Sequence, residues 1–331
     1  MALRHKKVAA VEDDINTTLQ NMSDEELFQF AGFDSTAAEK TGYSNYSYWR
    51  STVRSFLKDK NAMFFLILVI VILLFTFIQP LLPNQHSPTE IFNDAQGMQI
   101  RNRAPDSEFW FGTNSIGQDL WSRVWSGTRT SLFIGCTVAV SEAVIGIFVG
   151  LLWGYVRKLD RLFTEIYNVL DNIPQTIVLV LISYIMHPSV STLIIAMCLT
   201  GWLDMARFIR NQVVIIRDRD YNLASRCLGT PTRRIIFRNL LPYLISVIVM
   251  RMALAIPSAI GNEVFLTYIG LGLPVSIPSL GNLIDDGRKL MTSASLRYQL
   301  FFPAIVLSIV TISFYIIGNA FADASDPKNH L

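Results

Sequence analysis

Six segments of this chain carry enough consecutive apolar residues to cross a bilayer, near 62–78, 131–155, 162–186, 190–209, 243–264 and 300–320. Such a span needs about 20 apolar residues, and inside hydrocarbon each backbone N–H and C=O must be satisfied within the segment, so the spanning element is a helix. The chain is therefore expected to be an all-α polytopic membrane protein with six transmembrane helices. Composition agrees: of 331 residues, 51% are hydrophobic and 16% charged, a balance wrong for a soluble domain of that length. The formal net charge of +2 is too small to suggest nucleic acid, and the basic residues cluster beside the apolar runs.

Those basic residues set the expected topology. Arg50, Arg54, Lys58 and Lys60 precede the first run, which places the N-terminus in the cytoplasm. Residues 1–60 then form a cytoplasmic segment, 61–128 the first span and an outer loop, 129–321 a five-helix core, and 322–331 a cytoplasmic tail. Trp110, Trp121 and Trp125 fit an outer loop returning through an aromatic interface. About 20 of the 28 Lys and Arg fall on the cytoplasmic side, as expected when both ends are inside. Asp171, Pro174, His187 and Pro188 interrupt the third and fourth spans and mark either broken helices or a short hairpin. In the second span Gly135, Ala139, Ala143, Gly146 and Gly150 recur at helical spacing, which lets another helix approach closely.

Between the fourth and fifth spans lies a polar stretch, 217–241, on the basic side. Tyr221 to Leu228 can form two helical turns whose Ala224 and Ser225 leave room for a partner, and Gly229 suits the left-handed position that ends a helix. Thr230 is expected to cap the next helix, Pro231 to occupy its first position, and Pro242 to open the fifth span. A short helix joined rigidly to a span must move with whatever docks on it. Arg226, Arg233, Arg234 and Arg238 either contact such a partner or are an ordinary basic flank.

Ionisable residues inside spans are costly and face the bundle interior or a partner. Glu142 and Arg251 fall near the middle of the second and fifth spans. They pair with each other, or Arg251 lines a pore. Glu263, at the outer end of the fifth span, belongs to an outer gate or is a solvated helix end. Cys136, Cys198 and Cys227 form no CxxC pair, and His5, His86, His187 and His330 form no local ligand cluster. No metal site is expected. No GxxxxGK[ST] phosphate loop occurs, so the chain is expected to be a non-enzyme. Ser23-Asp24-Glu25-Glu26 before Leu27, Phe28 and Phe30 reads as a capping box opening a short amphipathic helix.

The polar stretch at 220–242 resembles the EAA loop of ABC importer permeases, in which small residues precede a glycine and a later proline opens the next span. Phe111-Gly112-Thr113-Asn114-Ser115-Ile116-Gly117-Gln118-Asp119, continuing to Leu132, resembles the outer segment of the C-type permease subunit of dipeptide and oligopeptide importers. Ile269-Gly270-Leu271-Gly272-Leu273-Pro274, Ser279-Leu280-Gly281 and Asp323-Ala324-Ser325-Asp326-Pro327 resemble its last third. Leu223-Ala224-Ser225 replaces the usual Glu-Ala-Ala, and Asn114 and Gln118 replace the usual Asp and Arg; these variants are most similar to the Gram-positive oligopeptide, Ami-like branch.

The resemblance implies a type I importer permease fold in a bacterial plasma membrane. It implies a homologous sister permease, two cytoplasmic ATPases that bind the ATP and Mg, and an extracellular lipid-anchored peptide-binding protein that delivers an oligopeptide. It also implies that Tyr221, Ala224, Ser225, Arg226, Leu228, Gly229, Thr230, Pro231, Arg233 and Arg234 couple to the ATPases. Two other functions compete: a related importer of nickel or another small solute, and a self-sufficient secondary transporter or channel running through Glu142, Asp171 and Glu263.

Overall fold

The computed structural model describes residues 48–325, mostly helical, with isolated antiparallel bridges Asn93 to Gln99 and Thr113 to Asp119 in the loop after the first span. Helix α1 (Tyr48–Lys58) precedes α2 (Lys60–Ile78), and the Asp59 carboxylate between them accepts hydrogen bonds from the N–H groups of Asn61 and Ala62, at 2.8 and 3.2 Å. The basic flank is thus itself a helix. It turns Thr52 and Phe56 inward, one turn apart, and Phe56 packs 4.8 Å from the ring of Phe321 near the end of the chain. The amphipathic helix expected over 23–30 lies outside the described residues.

Helix α3 (Leu120–Tyr155) starts a full 11 residues before the apolar run that marks it, because Asp119 caps it through Trp121 N and Ser122 N. At 36 residues it is about 54 Å long, well beyond the ~30 Å of bilayer hydrocarbon. The boundary expected at 128/129 therefore falls inside one continuous helix. The third expected span is two helices, α4 (Arg157–Asp171) and α5 (Gln175–Ile185), bent by 70° at the break before Pro174. Helix α4 carries Arg157, Lys158, Asp160, Arg161 and Glu165, too many charges for hydrocarbon. Helix α6 (Val190–Arg217) runs two turns past its expected end, since the bidentate pair of Arg210 with Asp160, at 3.0 Å for both bonds, binds that extension to α4.

After α7 (Asp220–Cys227) comes α8 (Thr232–Tyr268), continuous for 37 residues. Pro242 does not open it. The proline lies inside, directly after a π-helical turn, Ile236–Leu240, in which Leu241 N donates to Ile236 O. A proline has no N–H for the carbonyl four residues back and its ring crowds that carbonyl, and the wider turn accommodates both. Helices α9 (Leu280–Lys289) and α10 (Tyr298–Ser325) complete the described chain. Among the described residues five helices are long and apolar enough to cross a membrane, and the count reaches six if the bent α4–α5 pair is one span.

The small residues of α3 face neighbours, as expected. Gly146, Gly150 and Gly154, one turn apart, lie against Met205, Ile209 and Val213 of α6, while Gly135 meets Ile256 of α8. A Cβ at Gly150 would stand 2.6 Å from the carbonyl oxygen of Ala206. In lipid, where no hydrophobic effect drives helices together, such contact between backbones is what holds them. Gly150→Leu is expected to cost about 1–3 kcal/mol or more by overpacking, seen as a lower melting temperature. Gly261→Ala, with nothing within 4 Å of its Cβ, should not lower that temperature and should raise it slightly, since alanine is the better helix former.

Candidate coupling elbow and membrane cavity

The polar stretch folds as an elbow. Gly229 has φ +74°, a conformation open to glycine at little cost, and its N–H donates to Arg226 O while Thr230 N donates to Ser225 O, both at 3.0 Å. That pair of bonds is the Schellman closure of α7. The Thr230 N–H is spent on it, and the next helix begins one residue later than expected, without a side-chain cap: Pro231 takes the N-cap position and Thr232 the first helical one. Pro231 is thus just outside the helix, not its first residue.

Two residues without a sequence signal fix the elbow to the spans. Asn222 is fully buried; its Nδ2 donates to Ile216 O at 2.9 Å and its Oδ1 accepts from Asn239 at 3.1 Å. It thereby ties α7 to the last turn of α6 and to the π turn of α8. Asp218 accepts from Arg157 at 3.2 Å and from Arg217 and Arg226 at 3.1 Å each. Burial pushes the Asp218 carboxyl up, but the hydrogen bonds from Arg226 and Arg217 and the charges of Arg217 and Arg157 outweigh it and hold the carboxyl below its usual range. A lowered carboxyl contributes stability above its ordinary pKa, and that contribution fades as pH falls through the lowered value. Arg226 also donates to the Arg217 carbonyl. It is half-buried and held within the elbow.

What the elbow leaves outside is apolar and basic. Tyr221, Leu223 and Leu228 are 47%, 42% and 85% exposed. Ala224 and Gly229 are exposed beside them, with Ser225 half-buried. Pro231, Arg233, Arg234, Phe237 and Arg238 line an adjoining shallow groove.

Within the spans, Glu142, Asp204 and Arg251 line one cavity of about 170 Å³ between α3, α6 and α8. The expected pair between Glu142 and Arg251 is absent: no ion pair joins them among the described residues. The Arg251 guanidinium lies 4.3 Å from the ring centroid of Phe208, and the Glu142 carboxylate occupies the space a side chain at Gly201 would need. Asp204, which the sequence reading overlooked, is exposed there, as are Arg251 and Ser258. Asp171 is elsewhere, 3.8 Å from Arg207.

Glu263 is not a solvated helix end. It is 0% exposed, and it accepts from Ser279 Oγ at 2.7 Å, Ser131 Oγ at 3.1 Å and Thr267 Oγ1 at 3.4 Å. Ser131 in turn accepts from Leu280 N at 3.1 Å. The cluster fastens α3, α8 and the start of α9. The three carboxylates of the self-sufficient transporter reading, Glu142, Asp171 and Glu263, thus share no route.

Comparison with known proteins fits this arrangement. The family described as binding-protein-dependent transport system inner membrane component matches residues 144–330, more than half of the chain, and the N-terminal TM domain of oligopeptide transport permease C matches residues 47–105. The oligopeptide transport system permease protein AmiD of Streptococcus pneumoniae is 40% identical over 310 residues, covering 93% of this chain and 98% of its own. OppC of Bacillus subtilis, an oligopeptide transport system permease protein, is 33% identical over 308 residues, covering 91% of this chain and 97% of its own. DppC of the same organism, a dipeptide transport system permease protein, is 34% identical over 317 residues, covering 96% and 97%. The chain belongs to the binding-protein-dependent ABC importer permeases.

As a permease it is a non-catalytic membrane subunit, and two of its departures from the usual pattern, Asn114 and Gln118, are in contact with each other. Asn114 Nδ2 donates to Gln118 Oε1 at 3.0 Å, and Asn114 Oδ1 accepts from Gln118 N at 2.8 Å. Gln118 Oε1 also accepts from the fully buried Arg123 at 2.6 Å, whose other bonds reach the carbonyls of Pro88 and Val275 at 3.1 Å each. A neutral amide pair thus stands where the usual pattern has an acid and a base, and its Gln118 carbonyl serves Arg123.

Two tests follow from this geometry. Asn222→Ala is expected to loosen the elbow by about 1–3 kcal/mol, read as faster amide exchange over 220–228; unchanged exchange would place the anchor elsewhere. Exchanging the charges of the permease, Glu142→Arg with Arg251→Glu, is expected to restore none of the transport lost in the single neutralisations. Recovery in the double variant would reinstate the pair.

Proposed function

We propose that this chain forms half of the membrane pathway of an ATP-driven importer of oligopeptides. The observation that carries the reading is the elbow, a short helix with apolar side chains left exposed yet bound to two spans through the buried Asn222. A self-sufficient carrier has no evident use for such a joint. The names of the relatives, oligopeptide and dipeptide transport system permeases, support peptide as the cargo.

In this reading the protein lies in a bacterial plasma membrane with both ends in the cytoplasm. The distribution of Lys and Arg supports that orientation. Its partners are a homologous sister permease, two cytoplasmic ATPases that hold the ATP and Mg, and an extracellular lipid-anchored peptide-binding protein. Tyr221, Leu223, Ala224 and Leu228 seat in an ATPase groove, with Gly229 and Pro231 shaping the turn and Arg233 and Arg234 meeting acidic side chains at the rim. ATP binding draws the two ATPases together. Because Asn222 joins α7 to both α6 and α8, the push reaches two of the helices that line the membrane cavity at once. Arg251, Asp204 and Ser258, exposed at bilayer depth, require a polar neighbour; the sister permease and the peptide path supply one, with Glu142 and Arg251 offering opposite charges to the ends of a peptide.

Purifying the tagged chain from native membranes in mild detergent should bring down one homologous permease and two ATPases, with ATP hydrolysis stimulated by peptide-loaded binding protein. A lone chain or homo-oligomer that moves solute in liposomes without ATP would overturn the reading. Leu228→Glu, which sets a charge on the most exposed apolar residue of the elbow, is expected to cut peptide uptake by about tenfold or more. The sister permease should still co-purify.

A further inference from the structure

A groove of about 580 Å³ opens between α2 and α3 at the end of the bundle remote from the elbow. Its walls include Leu73 and Phe77 of α2 and Phe133 and Cys136 of α3, with Val190 at the start of α6 and Ile277 from the loop after α8. The hydroxyls of Thr76 and Thr130 are turned back on their own helices, donating to Leu73 O at 2.7 Å and Ser126 O at 3.1 Å. The wall is left apolar.

Among the described residues, Arg129 is the one charged residue lining the groove. It has no ion-pair partner among the described residues. Its guanidinium makes one long hydrogen bond, 3.5 Å to the carbonyl of Thr76, and stands 5.8 Å from the ring centroid of Phe77. Phe77 is the penultimate residue of α2, so the cation lies within about one turn, ~5 Å, of the point where this apolar helix ends. That is headgroup depth, where an arginine stem lies along apolar surface and its charge reaches the interface.

The geometry points to a binding site for one anionic glycerophospholipid, its phosphate paired with Arg129 and an acyl chain lying in the groove. The charge complementarity selects the occupant. A protein partner seated here would need to bring an acidic side chain to the same depth against an apolar wall, whereas the headgroup layer already holds phosphates there, and Arg binds phosphate through two parallel donors. This inference is independent of the transported cargo.

The test is native mass spectrometry of the assembled transport complex after equilibration in mixed micelles containing equal phosphatidylglycerol and phosphatidylcholine. The mass of the complex and of its retained lipid are read together, so a variant that fails to assemble is not mistaken for one that fails to bind. The wild type is expected to keep phosphatidylglycerol in preference, Arg129→Gln to retain about fivefold less, and Arg129→Lys to recover most of the difference. Cys136→Trp, which fills the groove and leaves the cation in place, should also expel the lipid. Equal retention of the two lipids, or phosphatidylglycerol retention that survives both Arg129→Gln and Cys136→Trp, would overturn the site. So would a wild-type complex that keeps no lipid because the sister permease covers this face.

Discussion

The contact of α3 with α6 through Gly146, Gly150 and Gly154 is the constraint on which the rest of the structure depends. It brings two helices together along the halves nearer the elbow closely enough that Arg217, at the end of α6, donates to the carbonyl of Gly154 at 2.5 Å. From there the order propagates by short steps. Arg217 and Arg226 converge on Asp218, Asp218 also takes Arg157 from the start of α4, and Asn222 closes α7 against α6 and α8. A side chain at Gly150 would move α6 outward and shift each of these partners, so the elbow is placed by backbone packing in the membrane together with the contacts of its own Asn222 and Arg226.

The elements that were legible in the sequence are those enforced by local physics. Bilayer thickness demands long apolar runs, and each run has a helical counterpart, including the interrupted one, whose Pro174 marks the 70° break. Gly229 was legible because a positive φ selects glycine. Helix ends were less so. The start of α3 depends on the Asp119 cap in a mixed polar and aromatic stretch, and the place of Pro242 inside α8 depends on a π turn that no residue pattern announces.

Long-range pairings were the hidden part. Glu142 and Arg251 share a cavity, but Phe208 stands under the guanidinium instead of a carboxylate. Glu263 takes its donors from Ser131 and Ser279, 132 and 16 residues away in the chain, and periodicity says nothing about such partners. Asn222 carried no signal for a similar reason, since an asparagine in a polar loop is ordinary until the fold shows what surrounds it; Asp204 did carry one, as an ionisable residue inside the span expected over 190–209.

The length of α3 has a mechanical meaning. A rigid rod of 36 residues outruns the hydrocarbon by roughly 20 Å, and its outer end is built into the loop through Asp119, Arg123 and the aromatic contacts of Trp121 with Phe75 and Phe111. The rod is therefore a lever whose fulcrum is the glycine seam. Tilting it by about 5° displaces a point 20 Å beyond that seam by roughly 2 Å, so a small adjustment made between helices on the elbow side arrives magnified at the opposite surface.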